Sequence, residues 1–267
     1  MLERNSLTDR RVEELERRLE ELEATVSQTR EERRNPRGVV RTFIQGYDEV
    51  LGGGIPQGQT LLLSGPTGSM KSSLALYFLH RNLAEGRKGV YISLEESKDS
   101  LRRTMDRLGM TGGGEALVDI GRLRLEHAEA EEARDWLGIL RDFLKRRKAR
   151  EAIEIAVIDP LNALHGLSGM EHPRQELFHF LNYLRGLELT TLLLYERPRG
   201  MLEYPSQEDF LADGVICLSF REVLPGKVEL WINCEKMRHA HHSRDFYRLE
   251  HGGGVFSAVP VRAGQTL

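Results

Sequence analysis

Residues 60–73 read TLLLSGPTGSMKSS. An apolar run of strand character ends in a glycine-rich turn, and KSSLALYFLHRNLAEG (71–86) continues as an amphipathic helix that stops at Gly86. Strand, glycine-rich turn and helix N-terminus in that order make a concave array of backbone N–H groups, the kind of place that holds a phosphate. Gly65, Thr67, Gly68, Ser69, Met70, Lys71, Ser72 and Ser73 are its candidate lining. The pattern is G-x-x-x-x-G-K-[ST], in which the lysine reaches the β- and γ-phosphates of a nucleoside triphosphate and the next hydroxyl ligates Mg²⁺. Lys71 and Ser72 fill those places, so ATP and Mg²⁺ are the expected ligands. Met70 stands where the second glycine belongs. Glycine there lets the backbone approach the phosphates, so the Met70 side chain must point away or intrude. A glycine-rich bend with a solvated lysine, or a loop that no longer binds, are the bland alternatives; the flanking strand and helix favour binding.

Outward from this turn the chain alternates strand and helix. GVYISLE (89–95) reads as a second buried strand, and SKDSLRRTMDRLGM (97–110) as a helix capped by Ser97. LRLEHA (123–128) reads as a short strand, EEARDWLGILRDFLKRRKAR (131–150) as a long helix and IEIAVID (153–159) as a strong strand. RQELFHFLNYLRGL (174–187) is a helix and TTLLLYE (190–196) a buried strand. GVICLSF (214–220), KVELWINCEKM (227–237) and RDFYRLEHGGGVF (244–256) then follow as consecutive strands with turns between them. Such an order predicts an α/β protein: a mainly parallel sheet with helices on both faces and an antiparallel extension at one edge.

Two further acidic positions belong to this frame. Asp159 ends an apolar strand, where an aspartate can hold Mg²⁺ directly or through water; the alternative is an aspartate that starts a turn before Pro160. Glu95 and Glu96 follow another strand, at the edge where such sheets meet their ligands. One of them could orient or deprotonate an attacking water, although a glutamate pair alone would more often be a solvated turn.

Residues 1–38 differ in style. Val12, Leu15, Leu19, Leu22 and Val26 follow a 3-4-3-4 spacing, on one seam of a charged helix of coiled-coil type. The seam suits a protein partner or self-association, or docking of the helix on its own domain. Asn35-Pro36-Arg37-Gly38 then breaks the helix, so 1–38 reads as an appendage and linker to a domain at 39–267. The net charge of −3 does not argue for nucleic acid on electrostatic grounds, since a dedicated binder usually shows a basic domain. Cys217 and Cys234 sit in apolar strand-like runs and read as buried free thiols. With no secretory signal and no apolar run long enough to span a bilayer, the chain reads as cytoplasmic.

Several segments together resemble the KaiC-like branch of the RecA superfamily: GYDEVLGGGIPQG (46–58), GPTGSMKSS (65–73), ISLEES (92–97), AVIDP (156–160), FLADGVICL (210–218) and EKMRHAHHSRDFYRLEHGGGVF (235–256). The resemblance covers roughly residues 39–258 and implies a RecA-like P-loop NTPase fold. It implies that Glu95 and Glu96 are a catalytic pair, that Lys71, Ser72 and Asp159 serve phosphate and Mg²⁺, and that Lys236 and Arg238 reach the nucleotide of a neighbouring subunit. A trans cation of that kind stabilises charge on the transferring phosphoryl group and requires a closed ring, with six copies expected. Only one such domain is present, and a clock-type kinase half has no counterpart. Tyr195-Glu196-Arg197 follows a strand where relatives carry polar residues, and the sequence assigns it no role.

Three functions are open on this reading. A ring-forming ATPase is favoured, acting as a regulatory or motor-like component. A nucleotide-sensing scaffold with little hydrolysis is suggested by Met70. A RecA/RadA-type DNA binder would use the loop 197–209, with Arg197 and Arg199 on phosphate, but Glu203, Glu208 and Asp209 offset that charge. Nucleic acid is therefore the least expected partner.

Overall fold

The computed structural model describes residues 38–119, 135–168, 170–198, 204, 205 and 207–261. The expected N-terminal helix, the strand at 123–128 and residues 199–203 and 206 of the loop at 197–209 lie outside these residues.

Strands β1 (Val39–Val40) and β2 (Ile55–Pro56) form a small antiparallel ladder of their own. β3 (Thr60–Gly65) leads through the glycine-rich turn into helix α1 (Lys71–Ala84). Then come β4 (Gly89–Ser93), α2 (Lys98–Arg107) and β5 (Leu117–Asp119). α3 (Trp136–Glu151), β6 (Ile155–Asp159), α4 (Leu161–Ser168), α5 (Pro173–Gly186) and β7 (Thr190–Glu196) follow. A short α6 (Glu208–Leu211) precedes β8 (Gly214–Leu224), β9 (Lys227–Met237), β10 (Tyr247–Gly252) and β11 (Val255–Pro260). The main sheet has nine strands in the order β11-β10-β9-β8-β3-β7-β6-β4-β5. From β8 to β5 every pairing is parallel, and from β8 to β11 every pairing is antiparallel.

The apolar runs explain the parallel part. Strands buried on both faces send alternate residues to opposite sides. Leu61, Leu63, Val157 and Leu194 join the cluster under α1 and α2, whereas Leu62, Ile158 and Leu193 join the one under α3, α4 and α5. RDFYRLEHGGGVF is not one strand: the chain turns at Gly253-Gly254, both at positive φ, and β10 pairs back on β11. The glycine triplet in that segment is a hairpin signal. Ser97 caps α2 as expected, accepting a hydrogen bond from the Ser100 N–H at 3.3 Å. Cys217 and Cys234 are buried free thiols; burial pushes the Cys234 thiol up to about 12.

Candidate functional site

The parallel register brings four strand ends to one edge of the sheet. Gly65 at the end of β3 pairs opposite Glu196 at the end of β7, and Ser93 at the end of β4 pairs opposite Asp159 at the end of β6. β4, β6 and β7 end on Ser93, Asp159 and Glu196 after apolar runs, and β3 ends on Ser64-Gly65, at the edge where an α/β sheet usually carries its ligand crevice. A cleft of about 400 Å³ lies there, lined by residues 67–73, Ser93, Glu95, Glu96, Asp159, Pro160 and Glu196.

The turn is shaped for an anion. A Cβ on Gly65 would lie 2.8 Å from Ser69 Oγ and 2.9 Å from the Leu218 carbonyl oxygen, so only glycine fits at that crossing. Met70 takes φ 63° and ψ 22°, the left-handed conformation that glycine adopts without cost, and its side chain packs against the apolar cluster under α1. The main chain thus keeps the path the motif needs although the residue differs. No side chain caps α1, and its first turn holds no acid. By contrast, Ser97 caps α2 and Asp135 caps α3. The positive end of the α1 dipole is left for an incoming negative group. Lys71 Nζ donates to the carbonyls of Gly65 and Pro66, both at 2.9 Å. Burial lowers its pKa, against the opposing pull of Glu196 and Asp159. The buried Ser69 hydroxyl has no partner.

Asp159 is the buried acid of the cleft. The buried Tyr91 hydroxyl donates to its carboxylate, and Ser72 lies beside both. Burial holds the Asp159 carboxyl above the usual range; hydrogen bonds from Tyr91 and Ser72 oppose this, Glu96 adds to it and Lys71 restrains it. Among the described residues no three His, Cys, Asp or Glu side chains cluster closely enough to cage a metal ion. Ser72 and Asp159 therefore suit an ion that takes its other ligands from phosphate and water, which is how Mg²⁺ binds.

Glu95 and Glu96 both line the cleft but differ in their support. Glu96 donates its N–H to Ser93 Oγ at 2.9 Å and accepts from Ser100 Oγ at 2.8 Å, so the first turn of α2 anchors it. Partial burial raises the Glu95 carboxyl, helped by Glu196, Asp159 and Glu96.

Glu196 is a site residue that the sequence left without a role. Its carboxylate accepts a hydrogen bond from Thr67 on the phosphate loop. The signal was available, since Glu196 ends an apolar strand just as Asp159 does. Asn162 on α4 has no such signal; it is found only through its contacts, donating to the Glu196 carbonyl at 3.2 Å and accepting from the Glu196 N–H at 2.7 Å.

Lys236 and Arg238 do not join this cleft within the chain. Lys236 pairs opposite Val215, and Val215 opposite Leu62, which places both cations towards the far end of the strands. Lys236 Nζ donates to the carbonyls of Asp209 and Ala212, both at 2.7 Å, and of Phe210 at 3.3 Å. Arg238 donates to the Phe210 carbonyl at 3.2 Å and to Asp213 at 3.4 Å. The family resemblance places them, with Glu95 and Glu96, among the catalytic candidates as cations that reach a neighbouring subunit's nucleotide; within one chain they bond the turn at 209–213.

A family model described as "ATPase: KaiC" matches residues 40–255. The circadian clock oscillator protein KaiC 1 of Synechocystis is 28% identical over 240 residues, which span 85% of this chain and 46% of that protein. The chain thus covers about half the length of such clock proteins. A UPF0273 protein of Pyrobaculum aerophilum is 29% identical, with 81% of each chain covered. The crystal structure of a KaiC-like protein from Pyrococcus horikoshii superposes with a TM-score of 0.71 at 28% identity, covering 83% of this chain and 99% of that one.

Proposed function

Starting from a chain that belongs to the KaiC ATPase family, we propose that it binds ATP with Mg²⁺ in the cleft at the C-terminal edge of the sheet and hydrolyses it there. One observation carries the reading: the uncapped N-terminus of α1, Lys71 and the Ser72–Asp159 pair face the same cleft. Lys71 leaves the carbonyls of Gly65 and Pro66 and turns to the β- and γ-phosphates, while the loop N–H groups hold the remaining oxygens. Ser72 and Asp159 would hold Mg²⁺, which would supply charge neutralisation on the phosphates. Glu95 takes the proton from the attacking water, a task for which a carboxyl raised above the usual range is the better base. Glu96, anchored by Ser93 and Ser100, fixes the turn that carries Glu95.

Lys71→Ala is expected to abolish ATP binding in a calorimetric titration; unchanged affinity would sink the assignment. Glu95→Gln with Glu96→Gln is expected to stop steady phosphate release while binding persists.

The position of Lys236 and Arg238, away from their own phosphate loop, supports a ring in which they serve a neighbour's nucleotide, with residues 1–38 as an appendage. A further copy would have to draw them off the carbonyls of 209–212. Mass-resolved sizing tests this: Mg-ATP is expected to shift the protein from small species to a closed ring of about six, by analogy with closed cyclic assemblies. A chain that stays monomeric while it releases phosphate at full rate would rule the ring out.

A further inference from the structure

Glu196 is held at the edge of the cleft by its main chain. Both of its main-chain groups are bonded to the Asn162 amide, at 2.7 and 3.2 Å, so α4 sets the direction in which strand β7 ends. Its carboxylate then meets the Thr67 hydroxyl on the phosphate loop. The same charge acts on Lys71 and on Glu95. The end of the cleft where Lys71 meets Glu95 and Asp159 is where a terminal phosphate would sit, because the lysine serves the β- and γ-phosphates and the base serves the water that attacks the γ-phosphate.

A carboxylate is an odd partner for a loop built to hold anions. It satisfies the Thr67 hydroxyl when no phosphate is there, and it repels a phosphate that arrives. We infer that Glu196 is a specificity-determining residue of the cleft: a carboxylate latch on Thr67, aimed by Asn162, that a nucleoside triphosphate must displace and a diphosphate need not. The latch biases the nucleotide-free and diphosphate states against the triphosphate state, and it rests on the reading of the cleft as a nucleotide site.

The test uses equilibrium titrations of the full chain with Mg²⁺ and either ADP or a non-hydrolysable triphosphate analogue. Glu196→Gln keeps the shape and an acceptor for Thr67 but removes the charge. It is expected to tighten the triphosphate analogue about tenfold and ADP less than about threefold, as loss of one nearby like charge would do. That gain should shrink as salt is added, which the loss of a merely structural contact would not show. Thr67→Val and Asn162→Ala reach the latch from its other two sides and should move the affinity ratio the same way by smaller factors. Glu196→Asp, which keeps the charge, should move it least. A ratio unchanged in Glu196→Gln, or a triphosphate bound more weakly, would overturn the latch while leaving the nucleotide site standing. A wild-type chain that binds neither nucleotide would overturn the site itself.

Discussion

The two ends of the nine-stranded sheet each carry a cluster of charge, and they use it differently. At the end where β3 and β8 begin, Asp213 is 7% exposed and surrounded by donors. It accepts from the Thr60 N–H at 3.0 Å, from Arg185 Nε at 2.9 Å and from Arg238 Nη1 at 3.4 Å. Arg185 also reaches the Leu211 carbonyl at 2.5 Å, and Lys236 closes three more carbonyls of that turn. At the phosphate-loop end the balance is reversed. Four carboxylates crowd the cleft, Lys71 is folded onto its own loop, Ser69 Oγ is buried without a partner and α1 is uncapped. Charge alone does not mark a site. A network that is already complete holds the fold, whereas bonding capacity left open at a strand end is what a ligand can use.

The largest effect should come from breaking the complete network. Asp213→Ala strips the acceptor from the half-buried Arg185 guanidinium, from the exposed Arg238 guanidinium and from the buried Thr60 N–H. Leaving the buried Thr60 N–H without its acceptor and removing two solvent-screened ion pairs costs about 2–3 kcal/mol, so urea unfolding should show a fall of that order. Nucleotide affinity of the folded fraction should change less than about threefold. A folded Asp213→Ala protein that no longer binds nucleotide would erase the distinction between the two ends.

Asp159→Asn probes the open end, and its sign is opposite. Burial raises the Asp159 carboxyl in the folded state, so folding stability is fullest below the unfolded value of about 4 and falls as pH rises through the folded value. Asparagine carries no such charge and can still accept from Tyr91. The nucleotide-free variant should therefore be more stable than wild type at pH 7, by about 0.5–2 kcal/mol, the usual size of a stabilising substitution. The advantage should vanish in melts below about pH 4, while Mg²⁺-dependent nucleotide binding is lost throughout. An Asp159→Asn variant less stable than wild type at neutral pH would make this carboxylate a fold-holding group like Asp213.

Much of this contrast was legible in the sequence at one end only. The phosphate loop, Asp159 and the Glu95–Glu96 pair announce themselves because local rules suffice: a glycine-rich turn before a helix, and acids at the ends of apolar strands. The same rule applied to TTLLLYE would have marked Glu196. Asn162 and the Asp213 network are not local. Asn162 acts on a residue 34 positions away, and Asp213 gathers partners from β3, from α5 and from the residue after β9, which the parallel β3–β8 pair, the antiparallel β8–β9 pair and helix packing bring together. Lys236 and Arg238 read as a basic pair, but the carbonyls that they bond within one chain lie 24 to 28 positions away and carry no local mark.

The smallest expected effect sharpens the open end most, because it isolates one side chain from the backbone it sits on. Met70 holds a left-handed conformation that costs a non-glycine residue about 1–2 kcal/mol. Met70→Gly removes that cost. It also gives up the packing of a half-buried thioether against the α1 cluster, about 1 kcal/mol by area, and loosens the unfolded chain by a further 0.5–1 kcal/mol or so. These terms nearly cancel, so chemical denaturation should place the variant within about 1 kcal/mol of wild type. The backbone path is unchanged and the side chain packs into the apolar cluster, so affinity for Mg-ATP should also stay within about threefold, as an open site defined by main-chain N–H groups requires. A tenfold or larger gain in affinity would mean that Met70 intrudes on the phosphates, and the departure from glycine would then be a brake on binding instead of a substitution the loop absorbs.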